Sequence, residues 1–334
     1  MYSEEDITSA VKAGILTKEA ALAFRNHVAA ESSSPVVDEE SFRLITGFND
    51  IFVVIASLLL LTSVTWIGSS VNLLLGATLQ TITAWGLAEY FTRKRRMALP
   101  SIMLLLAFVG GVLVTGMIFL QTAGFTEEIS IGGPSLIAAM AAWLHWLRFK
   151  VPITIAAGTG TLVTGIMLLL LALVPDARQW IMLITFVAGL GVFILAMLWD
   201  STDTLRQTRR SDVAFWLHLI AAPLIVHPIF AALNIFDSQI GLWQAVSVTV
   251  LYIVLAIISI SIDRRALMVS ALLYVLFVFN TVLEHYGVAS LSFAFTAFII
   301  GSGLLLLSAF WHRCRQLIIV YYPIAIQKLL PELR

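Results

Sequence analysis

Two histidines and two prolines share one apolar stretch of the sequence, residues 213–233. They are His218, Pro223, His227 and Pro228. Ionisable side chains inside a membrane-spanning stretch are costly, and they often mark the path of a substrate or a proton. Each proline removes a backbone donor and favours a kink, and transporters place binding sites where backbone unwinds at mid-membrane. The pattern therefore predicts His218 and His227 as substrate or proton contacts.

A structural role explains the same residues equally well. His218 and His227 are nine positions apart, so on a straight helix their side chains point in opposite directions. A neutral imidazole hydrogen-bonded to a neighbouring carbonyl accounts for each of them. Gln80 is a third candidate for substrate binding, because it lies near the middle of another apolar stretch. Its side chain either faces the stretch 213–233 across a cavity or forms a hydrogen bond between helices.

Motifs of known catalytic or phosphate-binding chemistry are missing from the sequence. There is no His-Glu-x-x-His zinc motif and no Gly-x-x-x-x-Gly-Lys phosphate loop. Gly301-Ser302-Gly303 lacks the glycine two places before the serine that a nucleophile elbow needs. The single cysteine, Cys314, excludes an intramolecular disulfide. The sequence thus assigns no catalytic residue, no metal ligand and no cofactor, and an enzyme is the least favoured class.

The composition is that of an integral membrane protein. Of 334 residues, 60% are hydrophobic and 12% are charged, whereas soluble domains are about 45 to 50% apolar and about 25% charged. Residues 1–50 hold nine acidic against four basic side chains, and an acidic surface repels phosphate. We therefore predict an all-helical bundle in the lipid bilayer, with no nucleic-acid partner.

Ten apolar stretches are long enough to cross a bilayer, which takes about 20 residues each. We predict spans at residues 51–68, 72–92, 98–120, 131–147, 152–174, 180–199, 213–233, 242–262, 266–283 and 289–311.

The distribution of basic residues predicts the orientation of these spans. Arg93, Lys94, Arg95 and Arg96 form the densest positive charge, and such a cluster stays on the cytoplasmic side. With a cytoplasmic amino terminus, nineteen of the twenty Lys and Arg residues fall on that side, and only Arg178 does not. The sequence predicts ten crossings with both termini in the cytoplasm.

The basic clusters recur every 50 to 60 residues, near positions 94, 149, 209, 264 and 314. This period is consistent with five helical hairpins that arose by duplication. Short loops between spans produce nearly the same spacing without duplication, so both interpretations stay open. Small residues four positions apart on one helix also predict close packing between helices. Gly111, Gly165 and Gly301 each belong to such a pair or series, in three different helices.

The two ends of the chain differ from the bundle, which we place at residues 37–312. We predict that residues 1–36 form a cytoplasmic helical hairpin and linker. In this hairpin Gly14 ends the first helix and Thr17 caps the second. Such a hairpin is suited to binding a protein partner. We predict that residues 313–334 form a tail at the membrane–water interface. An eleventh crossing of the membrane is the alternative.

Three short motifs resemble an uncharacterised family of bacterial multi-pass membrane proteins, classed only as a domain of unknown function. They are Gly14-Ile15-Leu16-Thr17-Lys18-Glu19-Ala20, Gly47-Phe48-Asn49-Asp50 and Asp263-Arg264-Arg265-Ala266-Leu267. The resemblance implies a bacterial inner-membrane location and no particular activity, substrate or site residue. Two functions are expected from the residues themselves. One is a transporter or permease with its site at the seventh span, and the other is a scaffold that binds a partner through the amino-terminal hairpin.

Overall fold

The computed structural model describes residues 4–31, 48–204, 206, 208–235, 242–285, 292–327 and 329–331. Every regular element among them is a helix. The helices are α1 Glu4–Lys12, α2 Lys18–Glu31, α3 Phe48–Ser69, α4 Leu73–Ala88, α5 Ala98–Thr122, α6 Glu127–Phe149, α7 Ile153–Leu173, α8 Ile181–Ser201, α9 Arg209–Ala232, α10 Leu242–Ile262, α11 Ala266–His285, α12 Ser292–Ala309, α13 Trp311–Ile319 and α14 Ile324–Gln327. A π-helical turn, Glu89–Lys94, continues α4, and a 3-10 turn, Pro175–Trp180, precedes α8.

The chain divides into two compact units between residues 42 and 43. In the first unit, α1 and α2 occur where the sequence predicts them. Gly14 adopts a left-handed φ of +72° just after α1, a conformation that glycine adopts without strain. The hydroxyl of Thr17 accepts a hydrogen bond from the amide of Ala20 at 3.1 Å, which confirms it as a helix cap. The linker predicted to end at residue 36 lies outside the described residues.

In the second unit, each predicted span overlaps one helix from α3 to α12. Six helices of the described residues are long and apolar enough to cross a membrane: α3, α5, α7, α8, α9 and α10. The count rises to seven if α12 and α13, which are bent by 69° at Phe310, form one span. The described part of the chain therefore belongs to a membrane protein, while ten crossings are not confirmed.

Helix α9 lies at the centre of the second unit. In its apolar stretch 56% of the residues are buried, whereas the value is 11 to 39% in the other five candidate spans. It packs against α7, α8 and α11. At the contact with α8, a Cβ atom on Gly189 would lie 2.8 Å from the carbonyl carbon of Leu224, so only glycine fits there without a shift. This central position buries His218, whereas His227 is partly buried.

Three predictions about this unit are not confirmed. The kink expected at Pro223 and Pro228 does not interrupt α9, which continues through both prolines as one helix. Neighbouring helices stabilise such prolines by packing around them. The arrangement as five hairpins is not confirmed, since α6 with α7 and α8 with α9 form much larger contacts than α7 with α8. A Cβ atom on Gly301 would meet no described atom within 4 Å, so no close packing occurs at that position.

Candidate functional site

Buried charges gather where α8 ends, α9 begins and α10 turns into α11. They form two adjacent groups. The Asp200 cluster consists of Asp200, Ser211, His218 and Arg264. The Asp263 cluster consists of Arg206, Asp263, Trp311 and Arg315. All of these residues except Arg206 are buried, and the side chain of Arg206 is itself only 5% exposed.

Local sequence explains how the elements of the Asp200 cluster are positioned. Thr208 caps α9, because its hydroxyl accepts a hydrogen bond from the amide of Arg210 at 3.3 Å. The carboxylate of Asp203 holds that cap by accepting from both the amide and the hydroxyl of Thr208, at 2.9 and 2.7 Å. Ser211 and His218 are seven residues apart, which puts them on the same face of α9, toward the end of α8.

The turn between α10 and α11 supplies the opposite charges. Asp263 follows the last residue of α10 with a left-handed φ of +58°, a conformation that Asp tolerates better than most residues. The amide of Arg264 then donates to the carbonyl of Ser259 at 3.0 Å, which closes the end of the helix. This turn directs two consecutive side chains, Asp263 and Arg264, into two different clusters.

Arg264 and Asp200 form a forked ion pair. The Nε and Nη2 atoms of Arg264 donate to the two carboxylate oxygens of Asp200, at 3.1 and 2.6 Å. Nη2 also donates to the carbonyl and the hydroxyl of Ser211, each at 3.1 Å. A buried ion pair is stable only when its remaining donors and acceptors are also satisfied. Ser211 supplies these extra bonds and fixes α9 to the pair.

His218 is the third member of this site. Its Nε2 atom lies 3.4 Å from Oδ2 of Asp200, close enough for a charge contact but not aligned as a hydrogen bond. Its Nδ1 atom has no hydrogen-bond partner among the described residues. The ring packs edge-on against Phe193 of α8, with 5.3 Å between the ring centres. An imidazole beside a carboxylate, with one nitrogen unused, can take up and release a proton.

The Asp263 cluster joins three more segments of the chain. Its carboxylate accepts from Nη1 of Arg206 at 2.9 Å and from the indole Nε1 of Trp311 at 2.6 Å. Arg315 Nη1 lies 3.6 Å from the same carboxylate, and its Nη2 donates to the carbonyl of Pro331. One carboxylate thus connects the loop between α8 and α9, the start of α13 and the end of the described chain. This role is structural.

The other predicted site residues have separate surroundings. Nδ1 of His227 lies 2.9 Å from the hydroxyl of Tyr274 on α11, so His227 does not share the partners of His218. The side-chain carbonyl of Gln80 accepts from the hydroxyl of Thr65 on α3 at 3.0 Å. Gln80 also lines a cavity of about 590 Å³ with residues of α3 and α5. Gln80 therefore forms a hydrogen bond between helices, which is one of the two roles predicted for it.

Arg93, Lys94, Arg95 and Arg96, predicted to determine topology, are all exposed after α4. Glu89 at the start of the same turn pairs with Arg93 at 3.4 Å and with Arg148 at the end of α6 at 2.8 Å. The second of these contacts connects α4 to α6. No group of three potential metal ligands occurs among the described residues.

Sequence reasoning missed Asp200 and Arg264. Asp200 lies at the very end of an apolar run, where an acidic residue is typical of a loop exposed to solvent. Residues 200–210 hold Asp200, Asp203 and three arginines, so their composition did not single out Asp200. Their pairing bridges 64 positions, and no local pattern specifies it.

Comparison with known proteins assigns this arrangement to no family. No family model matches the sequence, no curated protein matches it, and no solved structure matches it. The resemblance to the uncharacterised bacterial family stays a prediction.

Proposed function

We propose that this chain is a proton-translocating permease of the bacterial inner membrane, with helices α3 to α12 crossing ten times and both termini in the cytoplasm. The positive-inside distribution supports the topology, since nineteen of the twenty Lys and Arg residues fall on one side of it. The exposed turn with Arg93 and Arg96 is consistent with a cytoplasmic loop. In this topology the Asp200 cluster lies at the cytoplasmic end of α9.

The contact between His218 and Asp200 carries the proposal. With a neutral imidazole, the charges of Asp200 and Arg264 cancel, and the buried cluster is neutral. Protonation of His218 adds one positive charge in a place that water does not reach, since the side chain is 2% exposed. Buried net charge is unfavourable, so the cluster must rearrange or release the proton. The conformation of the cluster should therefore depend on whether His218 is protonated.

Helix α9 is the element that such a rearrangement would move. It carries both histidines, and each of its two internal prolines removes one backbone hydrogen bond, which makes the helix easier to bend. His218 is packed on all sides in the structure, so transport requires a second conformation in which the contact between α8 and α9 opens. Two conformations with different proton affinity are the minimum that proton translocation needs.

Proton flux into proteoliposomes tests this proposal. Purified protein is reconstituted with an entrapped pH-sensitive dye, and valinomycin with a potassium gradient drives protons inward. We expect flux well above that of protein-free vesicles, and a loss of at least fivefold in His218→Phe. The control variant is His312→Gln, which replaces an imidazole outside the Asp200 cluster and should keep the wild-type flux. Wild-type flux equal to that of empty vesicles, or full flux in His218→Phe, would overturn the proposal.

A scaffold function is the second candidate, and a different observation favours it. The amino-terminal hairpin leaves three large apolar side chains exposed: Ile15 is 78% exposed, Leu22 is 59% and Phe24 is 45%. Exposed apolar side chains on a small helical unit are typical of a surface that binds another protein. In this case the hairpin would hold the partner and the bundle would serve as its membrane anchor.

Co-purification distinguishes this function from transport. Deletion of residues 1–36, or the pair Leu22→Asp and Phe24→Asp, should remove specific proteins from the set that purifies with the full chain. The control Lys18→Ala changes an exposed side chain of the same helix and should leave the set intact. An unchanged set in the double variant and in the deletion would exclude the scaffold function.

A further inference from the structure

A cavity of about 480 Å³ lies between α10, α11 and α12. Its wall is almost entirely apolar and includes Val275, Phe279 and Leu304. Its size is within the range of about 300 to 1,000 Å³ that is usual for small-molecule sites. Ile299 at its edge is 65% exposed on the outer surface of the bundle, so the cavity can be entered from the membrane.

Two hydroxyl groups in this wall lack partners. The hydroxyl oxygens of Tyr252 on α10 and Thr296 on α12 are buried, and neither has a hydrogen-bond partner among the described residues. Thr296 as a whole is only 3% exposed. Buried hydroxyls in proteins are nearly always satisfied, so two unsatisfied ones among the residues that line one cavity call for a partner that the described residues do not supply.

A neighbouring threonine shows that the missing bond is not a general property of these helices. Thr249 lines the same cavity, but its hydroxyl donates to the carbonyl of Ala245, one turn earlier, at 2.7 Å. That bond is the usual solution for threonine in a helix, and Thr281 on α11 makes it too. Thr296 does not, so its hydroxyl has no hydrogen-bond partner among the described residues.

We propose that this cavity binds a membrane lipid through a carbonyl oxygen. A carbonyl has two lone pairs and accepts from the hydroxyls of Tyr252 and Thr296, while an alkyl chain fills the apolar wall. Two sources in a membrane carry this chemistry, the ester group of a phospholipid and the ring carbonyl of an isoprenoid quinone. Water is a poor substitute, because the cavity offers it few other polar partners.

Ligand-dependent thermal stability tests the site in the delipidated full-length protein. The probes are an ester-linked dioleoyl phospholipid, its ether-linked analogue without carbonyls, and decylubiquinone. We expect the Tm of the wild type to rise with the ester lipid or with the quinone, and the ether analogue to have a much smaller effect. The probe that raises Tm identifies the source of the carbonyl.

Three variants that change almost only a hydroxyl complete the experiment. Tyr252→Phe and Thr296→Val should each weaken the apparent affinity about tenfold, as expected for the loss of one hydrogen bond. Both should fold without ligand, since each removes an unsatisfied polar group. Thr249→Val is the matched control, because it alters the same wall and leaves the two free hydroxyls in place. The proposal is wrong if neither carbonyl probe raises Tm, if the ether analogue acts like the ester, or if all variants bind alike.

Discussion

Arg264 holds the carboxylate of Asp200 by two hydrogen bonds although both side chains are almost fully buried. This pair joins the end of α8 to the turn between α10 and α11, and Ser211 adds the start of α9. A buried charge without its partner is far less stable than the pair, since burial removes the water that would otherwise solvate it. The pair therefore adds a buried polar contact to the apolar packing between α8, α9 and the turn after α10.

Replacing Arg264 with Leu should destabilise the protein strongly. The change leaves the carboxylate of Asp200 buried without its cation, and we expect a loss of about 3 to 5 kcal/mol in the free energy of unfolding. Thermal unfolding in detergent measures it. The double variant Asp200→Asn with Arg264→Leu should recover part of the loss. Arg93→Leu, at an exposed pair, should change the stability by less than about 1 kcal/mol. Equal stability of Arg264→Leu and the wild type would contradict the ion-pair argument.

Trp311 provides a test of the Asp263 cluster. Trp311→Phe keeps an aromatic ring in the buried position but removes the indole donor to Asp263, which should cost about 1 to 3 kcal/mol. Because this contact holds the start of α13, trypsin should also cleave faster after Arg313. Trp66→Phe is the control, since Trp66 is exposed on α3. Unchanged Tm together with unchanged cleavage would show that the indole bond stabilises nothing.

Two glycines of α8 allow the effect of close helix packing on stability to be distinguished from the effect of helix propensity. In Gly189→Ala the new Cβ would lie 2.8 to 2.9 Å from backbone atoms of Leu224 and Ile225, so α8 and α9 must move apart. We expect a loss of about 1 to 3 kcal/mol. Gly191→Ala should instead be neutral or stabilise by up to about 1 kcal/mol, because its Cβ would meet no described atom within 4 Å. Thermal unfolding of the two variants compares them, and an equal loss in both would contradict the α8–α9 contact.

Reporter fusions test the proposed topology. A reporter inserted between Thr92 and Met97 should be active only in a form that works in the cytoplasm. A second insertion at Gly124, in the exposed turn between α5 and α6, should be active only in a periplasmic form. The two results must be opposite, because one helix separates the sites. Periplasmic activity at the first site would refute the orientation and the cytoplasmic position of the Asp200 cluster.

Part of the fold could be read from local patterns. The apolar stretches coincide with α3 to α12, and the signals at Gly14 and Thr17 coincide with the end of α1 and the start of α2. A helix satisfies its backbone within a few residues of sequence, so composition and capping residues are sufficient to locate it. The same patterns predicted ten spans, whereas six of the described helices, or seven with the bent pair, meet the length and hydropathy needed to cross a membrane.

The candidate site needed the tertiary structure. His218 and His227 were visible as unusual residues, yet their partners Asp200 and Tyr274 lie 18 and 47 positions away. The sequence by itself determined the membrane class and the positions of the helices. Only the packing of α8, α9 and the turn after α10 decided that Asp200, Arg264 and His218 meet. The reason is that helix formation depends on neighbours in the chain, whereas contacts between buried charges depend on which helices pack together.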